Sequence, residues 1–353
     1  MGGEKRNRET NSIYEGDDLE EAEYEVRKFL ELLGKEIQIR VNIKDAAIDG
    51  IETINKILKD INNVVLNNNV IFYFVDGKAE SIFGEYLLYL ESKVGDGTCK
   101  VVVKSLKLFL NVVLDISNLE YGGEFESLKP MVLGMLLNKN IIENLMDVIH
   151  KLELQYNNEY SPANRELIFY EDVLFDYFNF LESVLELDPQ KSSSGLLKYR
   201  KLLSWLLNSL DDSNGGSASG NGVKANATIG NASQNKIEIL SIMFQNVTYS
   251  DLLELDTFSV NIMDLLLVKL ANMGLIEGEV VGSENREFIY NIVDIMCSLL
   301  LFEKERLNFV ELEGLELMLK FIKEKVFLRS LSVKVLSFAL ICDSNVNNKF
   351  VNL

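Results

Sequence analysis

The chain runs to 353 residues and carries 35 Lys+Arg against 54 Asp+Glu, a formal net charge of -19. Such a length exceeds one ordinary compact domain and allows a large buried core. So acidic a surface repels a phosphate backbone, which disfavours direct nucleic-acid binding, and it steers basic partners such as lysine- and arginine-rich peptides.

Residues 1–18 are polar and without periodicity and read as a disordered tail; within it Lys5-Arg6-Asn7-Arg8 has the composition of part of an import signal or of a solvated terminus. From Leu19 the apolar positions Leu19, Ala22, Val26, Phe29, Leu30 and Leu33 share one helical face, and Gly34 suits the C-cap. A second helix covers about Ile48 to Ile61, and the asparagines at 62–63 and 67–69 argue for turns. Val70 to Val75 is β-branched and aromatic, which fits a strand; the helical character of the chain around it favours a helix. Residues 19–80 thus form an N-terminal helical cap, and 81–353 a run of armadillo-like repeats.

Within that run Ile82 to Ser92 pairs with Lys100 to Leu114, Glu126 to Leu136 leads to Ile141 to Tyr156, and Leu167 to Leu187 is a long helix stopped by Asp188-Pro189. Leu196 to Leu210 is a helix carrying Trp205, whose leucine neighbours mark it as core. Residues 211–235, rich in Gly, Ser and Asn, have little to bury and read as a flexible loop. Helices resume at Lys236 to Phe244, Ser259 to Met273, Arg286 to Phe302, Gly314 to Lys325 and Leu331 to Cys342. The stretch from Leu307 to Lys320 reads as one helix with an apolar stripe at Leu315, Met318, Leu319 and Ile322, followed by a short break and a second helix from Ser330. Only three prolines interrupt all this, which favours helices over a many-turned sandwich. Helix pairs that cannot bury their stripes alone, at a spacing of about 40 to 65 residues, predict an all-α fold, an armadillo/HEAT-like right-handed superhelical solenoid of stacked repeats. The end at Leu353, just after a helix and without a polar capping repeat, reads as a fragment of a longer solenoid.

Catalytic chemistry finds no support in the residues. His150 is the only histidine and sits on a plain amphipathic helix; no glycine-rich phosphate loop stands between a strand and a helix; carboxylate pairs such as Glu182/Glu186 and Glu311/Glu313 are expected by chance at this acid content. Cys99, Cys297 and Cys342 are too widely spaced for a structural zinc site, fit a reducing compartment, and read as small core hydrophobes. No cofactor is expected. The roughly 25 leading residues lack a secretory apolar stretch, and runs such as Ile295 to Phe302 fall far short of a membrane span.

Attention therefore moves to surfaces. The third helix of an armadillo unit lines a groove in which asparagines and acids clamp an extended basic peptide. The candidate inner helices carry such groups at helical spacing: Asp176, Asn179 and Glu182 on one, Asn291 and Asp294 on another, Glu238 and Asn246 on a third, and Asn111 with Asp115 on a fourth. Each also fits an ordinary solvent-facing polar position.

The segment Phe309 to Leu340, with Glu313-Gly314-Leu315, Met318, Arg329-Ser330 and Val333-Lys334-Val335-Leu336, resembles the armadillo-repeat β-catenin-like family of the spliceosome. Lys236 to Leu255, Asn285-Arg286-Glu287, the Trp205-Leu206-Leu207 helix, and Val26-Arg27-Lys28 through Arg40 and Asp45 agree more loosely. The resemblance implies a nuclear solenoid that binds basic, nuclear-localisation-like segments of splicing factors through an acidic groove and self-associates, as in a homodimer. The 211–235 insert departs from the family, where a short connection is usual. Two other readings stand beside the splicing adaptor: a generic armadillo/HEAT scaffold or transport adaptor outside splicing, and an enzyme built on the acid clusters, which needs carboxylates converging in an enclosed pocket.

Overall fold

The structure, a computed structural model, describes residues 16–42, 48–65, 79–95, 98–118, 123–158, 166–210, 231–258, 260–274 and 283–340. Sixteen α-helices and one short 3-10 turn account for nearly all of them, and no strand occurs among the described residues. The tail 1–15, the ambiguous Val70 to Val75 and the insert up to residue 230 lie outside them.

Two units are distinguishable, residues 1–135 and 136–353. The first contains α1 (Gly16–Asn42), α2 (Ile48–Val65), α3 (Ala79–Lys93) and α4 (Cys99–Ser117), with α5 (Lys129–Leu136) at its boundary. Helix α1 packs on α2 and α3, and α4 on α2 and α3. Each helix buries a stripe at helical spacing, for example Val26, Leu30, Leu33 and Ile37 on α1 and Ile51, Ile54, Leu58 and Ile61 on α2. Gly34 does not end α1: the buried stripe continues through Ile37, and burial of that extra turn outweighs the glycine's helix penalty. At the centre of the unit Phe83 meets Phe109 edge-on with ring centroids 5.3 Å apart, and the buried Tyr86 hydroxyl donates to the Ser105 carbonyl. Burial pushes the Tyr86 phenol far above its ordinary range, so it stays neutral.

The second unit opens with the long helices α6 (Lys139–Asn158) and α7 (Glu166–Leu187). Three triplets follow: α8 (Pro189–Leu197), α9 (Arg200–Leu207) and α10 (Asn231–Gln245); α11 (Tyr249–Asp256), α12 (Ile262–Gly274) and α13 (Ser283–Leu299); α14 (Glu303–Glu311), α15 (Gly314–Glu324) and α16 (Val326–Ala339). Each triplet begins with a short helix, the armadillo pattern. Helix α7 packs on α10, the last helix of the first triplet, and the last helices of the following triplets continue the row, α10 on α13 and α13 on α16. These four form a ladder, and repeats that touch only their sequence neighbours make a solenoid.

Several expected boundaries shift, for identifiable local reasons. The expected helix Leu196 to Leu210 is two helices, because Tyr199 takes an extended conformation (φ -87°, ψ 94°) and its hydroxyl reaches back to the Leu137 carbonyl. The single helix expected over Leu307 to Lys320 is also two. Glu313 sits in the left-handed region at φ 60°, and the Phe309 ring lies against Gly314 so closely that a Cβ there would come within 2.3 Å of it. Only glycine admits that approach at Gly314. The next helix starts at Val326 rather than Ser330, after the extended Lys325. Helix α10 begins at Asn231, so 231–235 is helical rather than loop, and α1 already includes residues 16–18 of the expected tail.

Two of the short helices are announced by capping residues. Asp188 accepts from the Lys191 amide at 3.1 Å with Pro189 in the first turn of α8, so the proline that ends α7 also starts its successor. Thr248 and Asp251 form a reciprocal capping box on α11, and Asp251 also accepts from the Ser194 hydroxyl at 2.9 Å, tying that cap to α8.

Candidate functional site

The ladder is most acidic over its first two helices. Helices α7 and α10 carry Glu171, Asp172, Asp176, Glu182, Glu186 and Glu238, with no outward-facing lysine or arginine among their described residues. Helices α13 and α16 balance Glu287 and Asp294 with Arg286, Arg329 and Lys334. Negative charge is thus concentrated where α7 and α10 meet.

At that junction Glu182, Glu186 and Glu238 line a groove of about 420 Å³ with Leu185, Pro189, Ile242 and Asn246. Glu182 and Glu186 are four apart on the last turns of α7, and Glu238 approaches from α10. The Glu182 carboxyl is held above the usual range, first by partial burial and then by the charges of Glu238 and Glu186. Two carboxylates whose charges raise the proton affinity of a third form a site that a cation stabilises, and the apolar lining suits the methylene stem of a lysine or arginine.

Of the residues singled out in the sequence, Glu182, Glu238 and Asn246 meet in this groove. Asn246 is partly committed: its amide donates to the Ile242 carbonyl at 2.9 Å, finishing α10. Asp176 and Asn179 are half-buried on the same helix, about two turns and one turn N-terminal of Glu182. Asn291 and Asp294 lie half-buried on α13, where the Lys334 ammonium of α16 donates to Asp294 at 2.6 Å. Its charge is balanced within the ladder, and the pairing raises the Lys334 pKa. Asn111 and Asp115 stand half-buried on α4 of the first unit and are no part of the ladder.

Sequence reading took Trp205 simply as core. It is buried, stacked on Phe178 at 5.6 Å, yet it also anchors a polar network. Its indole N–H donates to Glu153 Oε2 at 3.1 Å, and the Lys236 ammonium lies 4.0 Å from its ring centroid and 3.9 Å from Glu153 Oε1. Helices α6, α9 and α10 are pinned together two residues before Glu238. No sequence signal marked Lys236, because a lysine at the start of a helix usually reaches solvent.

Elsewhere the chemistry is quiet. His150 is exposed on α6. The buried Cys297 thiol is pushed up to about 11, chiefly by burial, which removes its nucleophilic form near neutrality. Among the described residues no three His, Cys, Asp or Glu side chains are grouped to hold a metal ion, and no helix is long and apolar enough to cross a membrane.

The sequence from 109 to 353, which takes in the whole ladder, matches the model of a family described as "Catenin-beta-like, Arm-motif containing nuclear". It is 25% identical over 251 residues to beta-catenin-like protein 1 of Homo sapiens, covering 69% of this chain and 38% of that protein. The Bos taurus protein of the same name is 34% identical over 120 residues, 33% of this chain and 20% of that protein. The chain therefore spans well under half the length of these relatives. Triplets of helices stacked through their third members, and a family match over more than half of the sequence, lead to one assignment: the chain belongs to the catenin-beta-like, Arm-motif-containing nuclear family.

Proposed function

We propose that the chain is a non-enzymatic armadillo adaptor of the pre-mRNA splicing machinery in the nucleus, and that it binds basic, nuclear-localisation-like segments of splicing factors in the α7–α10 groove. The observation that carries this reading is the convergence of Glu182, Glu186 and Glu238 beside apolar walls, with the Glu182 carboxyl held above its usual range by partial burial and then by the charges of Glu238 and Glu186. A lysine or arginine placed there removes that repulsion, and the overall charge of -19 steers it in. The nuclear setting is supported by the family's description, and the splicing context by the resemblance from Phe309 to Leu340. The same acidity speaks against direct contact with nucleic acid.

Calorimetric titration with a lysine/arginine-rich peptide tests this, at low salt and at about 0.5 M salt, where the screening length falls to a few ångströms. Salt-sensitive micromolar binding is expected, weakened about tenfold or more, roughly 1.4 kcal/mol, in a Glu182→Gln/Glu238→Gln variant. Peptide binding unchanged by that double substitution would place the site elsewhere. Recovery of splicing complexes from nuclear extract on the wild-type chain, lost in the same variant, tests the biological setting.

A further inference from the structure

A second groove, lying on other helices, has different chemistry. Helices α11 and α14 open two consecutive triplets and flank a trough of about 520 Å³. Half of its lining is apolar: Leu252 and Leu255 from α11, Val260 and Ile262 from the entry to α12, Leu299 from the end of α13, and Leu307 from α14. Val260 and Leu307 remain 40% and 38% exposed, and Tyr249 and Leu253, on the neighbouring face of α11, are 59% and 49% exposed. Large apolar side chains left in water around a concave surface mark an interaction site.

The polar groups of the trough are occupied by one another. Asn261 and Asn308 exchange amide hydrogen bonds at 3.1 and 3.0 Å, and Asn308 also donates to Glu305 at 3.2 Å. Asn261 further accepts from the Asp264 amide. With its amides engaged, the trough is best matched by an occupant whose main chain is already hydrogen-bonded, a helix laying its apolar face in the groove. Charge completes the description. Lys304 is paired with Asp256 across the trough, and the guanidinium of Arg306 is engaged by the Leu300 and Leu301 carbonyls. Glu305 and Glu311 then leave the lining with an excess of negative charge.

We propose that this trough docks an amphipathic helix of a partner protein, inserting leucine-like side chains at i, i+3/i+4 and i+7 between α11 and α14 and presenting lysines or arginines to Glu305 and Glu311. It is a site separate from the α7–α10 groove and does not depend on that groove's function.

The probe is a synthetic peptide of about 18 residues, five helical turns, with leucines on one face and lysines on the other, titrated into the full chain. A Ser/Lys peptide of the same charge and a Leu/Glu peptide of the same apolar face are the controls. One-to-one binding of the Leu/Lys peptide is expected, about tenfold or more tighter than either control. It should weaken about tenfold in a Val260→Ser/Leu307→Ser variant and in a separate Glu305→Gln/Glu311→Gln variant. It should be unchanged in Glu182→Gln/Glu238→Gln. Both residues of the serine variant are partly exposed, and a circular dichroism melt like that of the wild type shows that its fold is intact. Equal affinity for the Ser/Lys peptide overturns the proposal, because charge alone then accounts for binding. So does loss of binding in Glu182→Gln/Glu238→Gln, which locates the helix in the other groove. Sedimentation of the chain alone as a dimer that Val260→Ser/Leu307→Ser dissociates also overturns it, by assigning the trough to a second copy.

Discussion

The ammonium of Lys236 lies 4.0 Å from the ring centroid of Trp205, with both side chains almost sealed from solvent, at 8% and 4% exposure. Glu153 closes the arrangement by accepting from the indole and facing the ammonium. A charge so buried is tolerated because a carboxylate and an aromatic face replace its water. The network ties α10 to α6 and α9 just ahead of Glu238, one wall of the acidic groove.

Burial depresses the Lys236 pKa, with the Glu153 charge opposing it. The unfolded chain therefore binds more protons at this position than the folded one between the depressed and the ordinary lysine value, and stability contributed by this group rises with pH across that window. Urea denaturation from about pH 7 to about pH 10 should show the rise in wild type and a flatter profile in Lys236→Met. Trp205→Ala, which removes the platform and leaves a cavity, should cost about 3–5 kcal/mol at neutral pH. An unchanged midpoint in Trp205→Ala contradicts the packing described.

Glu182 carries the opposite sign. Its raised pKa means that the folded chain holds the proton where the unfolded chain has lost it, so stability falls as pH rises from the ordinary glutamate value through the raised one. Glu182→Gln should melt at a slightly higher temperature than wild type at neutral pH while binding basic peptides more weakly. Gain of stability with loss of affinity is the signature of charges gathered for a ligand. A variant that loses both is explained by structural disruption instead.

The Asp294–Lys334 pair joins α13 to α16 and is about half exposed. Lys334→Ala should therefore cost only about 0.2–1 kcal/mol, and less at high salt. Because the pairing raises the Lys334 pKa, its contribution is complete below the ordinary lysine value and is lost as pH rises through the raised one. Binding of a basic peptide should be nearly unchanged in this variant, since the acidic groove lies on α7 and α10.

The turn between α14 and α15 offers a test of packing. Gly314→Ala should destabilise by about 1–3 kcal/mol, because a methyl group meets the buried Phe309 ring. Phe309→Leu in the same chain should recover part of the loss, giving a non-additive double-mutant cycle. Glu313→Gly, relieving a left-handed residue, should be neutral or stabilising by up to about 1 kcal/mol. Denaturant midpoints of the wild type and these four variants decide the matter.

How legible this molecule is from its sequence depends on the range of the interaction that decides each feature. Period-3.6 stripes gave the long helices, among them Leu167 to Leu187 and Arg286 to Phe302, because an amphipathic face is written locally. The short helices α11 and α14, which open their triplets, escaped: eight or nine residues hold too few turns to show a stripe, and α14 buries fully only Phe309. The residue types of the groove were legible as well, since Glu182, Glu238 and Asn246 stand at helical spacing in an acidic chain.

What spacing cannot express is which helices become neighbours. That Glu182 and Glu238 repel one another, while Asp294, of the same chemistry, is neutralised by Lys334, follows from α7 facing α10 and α13 facing α16. Those are contacts between residues some 40 to 56 positions apart in the chain. The burial of Lys236 beneath Trp205 and the trough between α11 and α14 have the same origin. By itself the sequence determined an acidic, all-helical armadillo chain, because helix propensity and amphipathic period act over a few residues. The tertiary structure alone decided which charges are paired and which repel one another, because electrostatic and packing energies depend on distance in space.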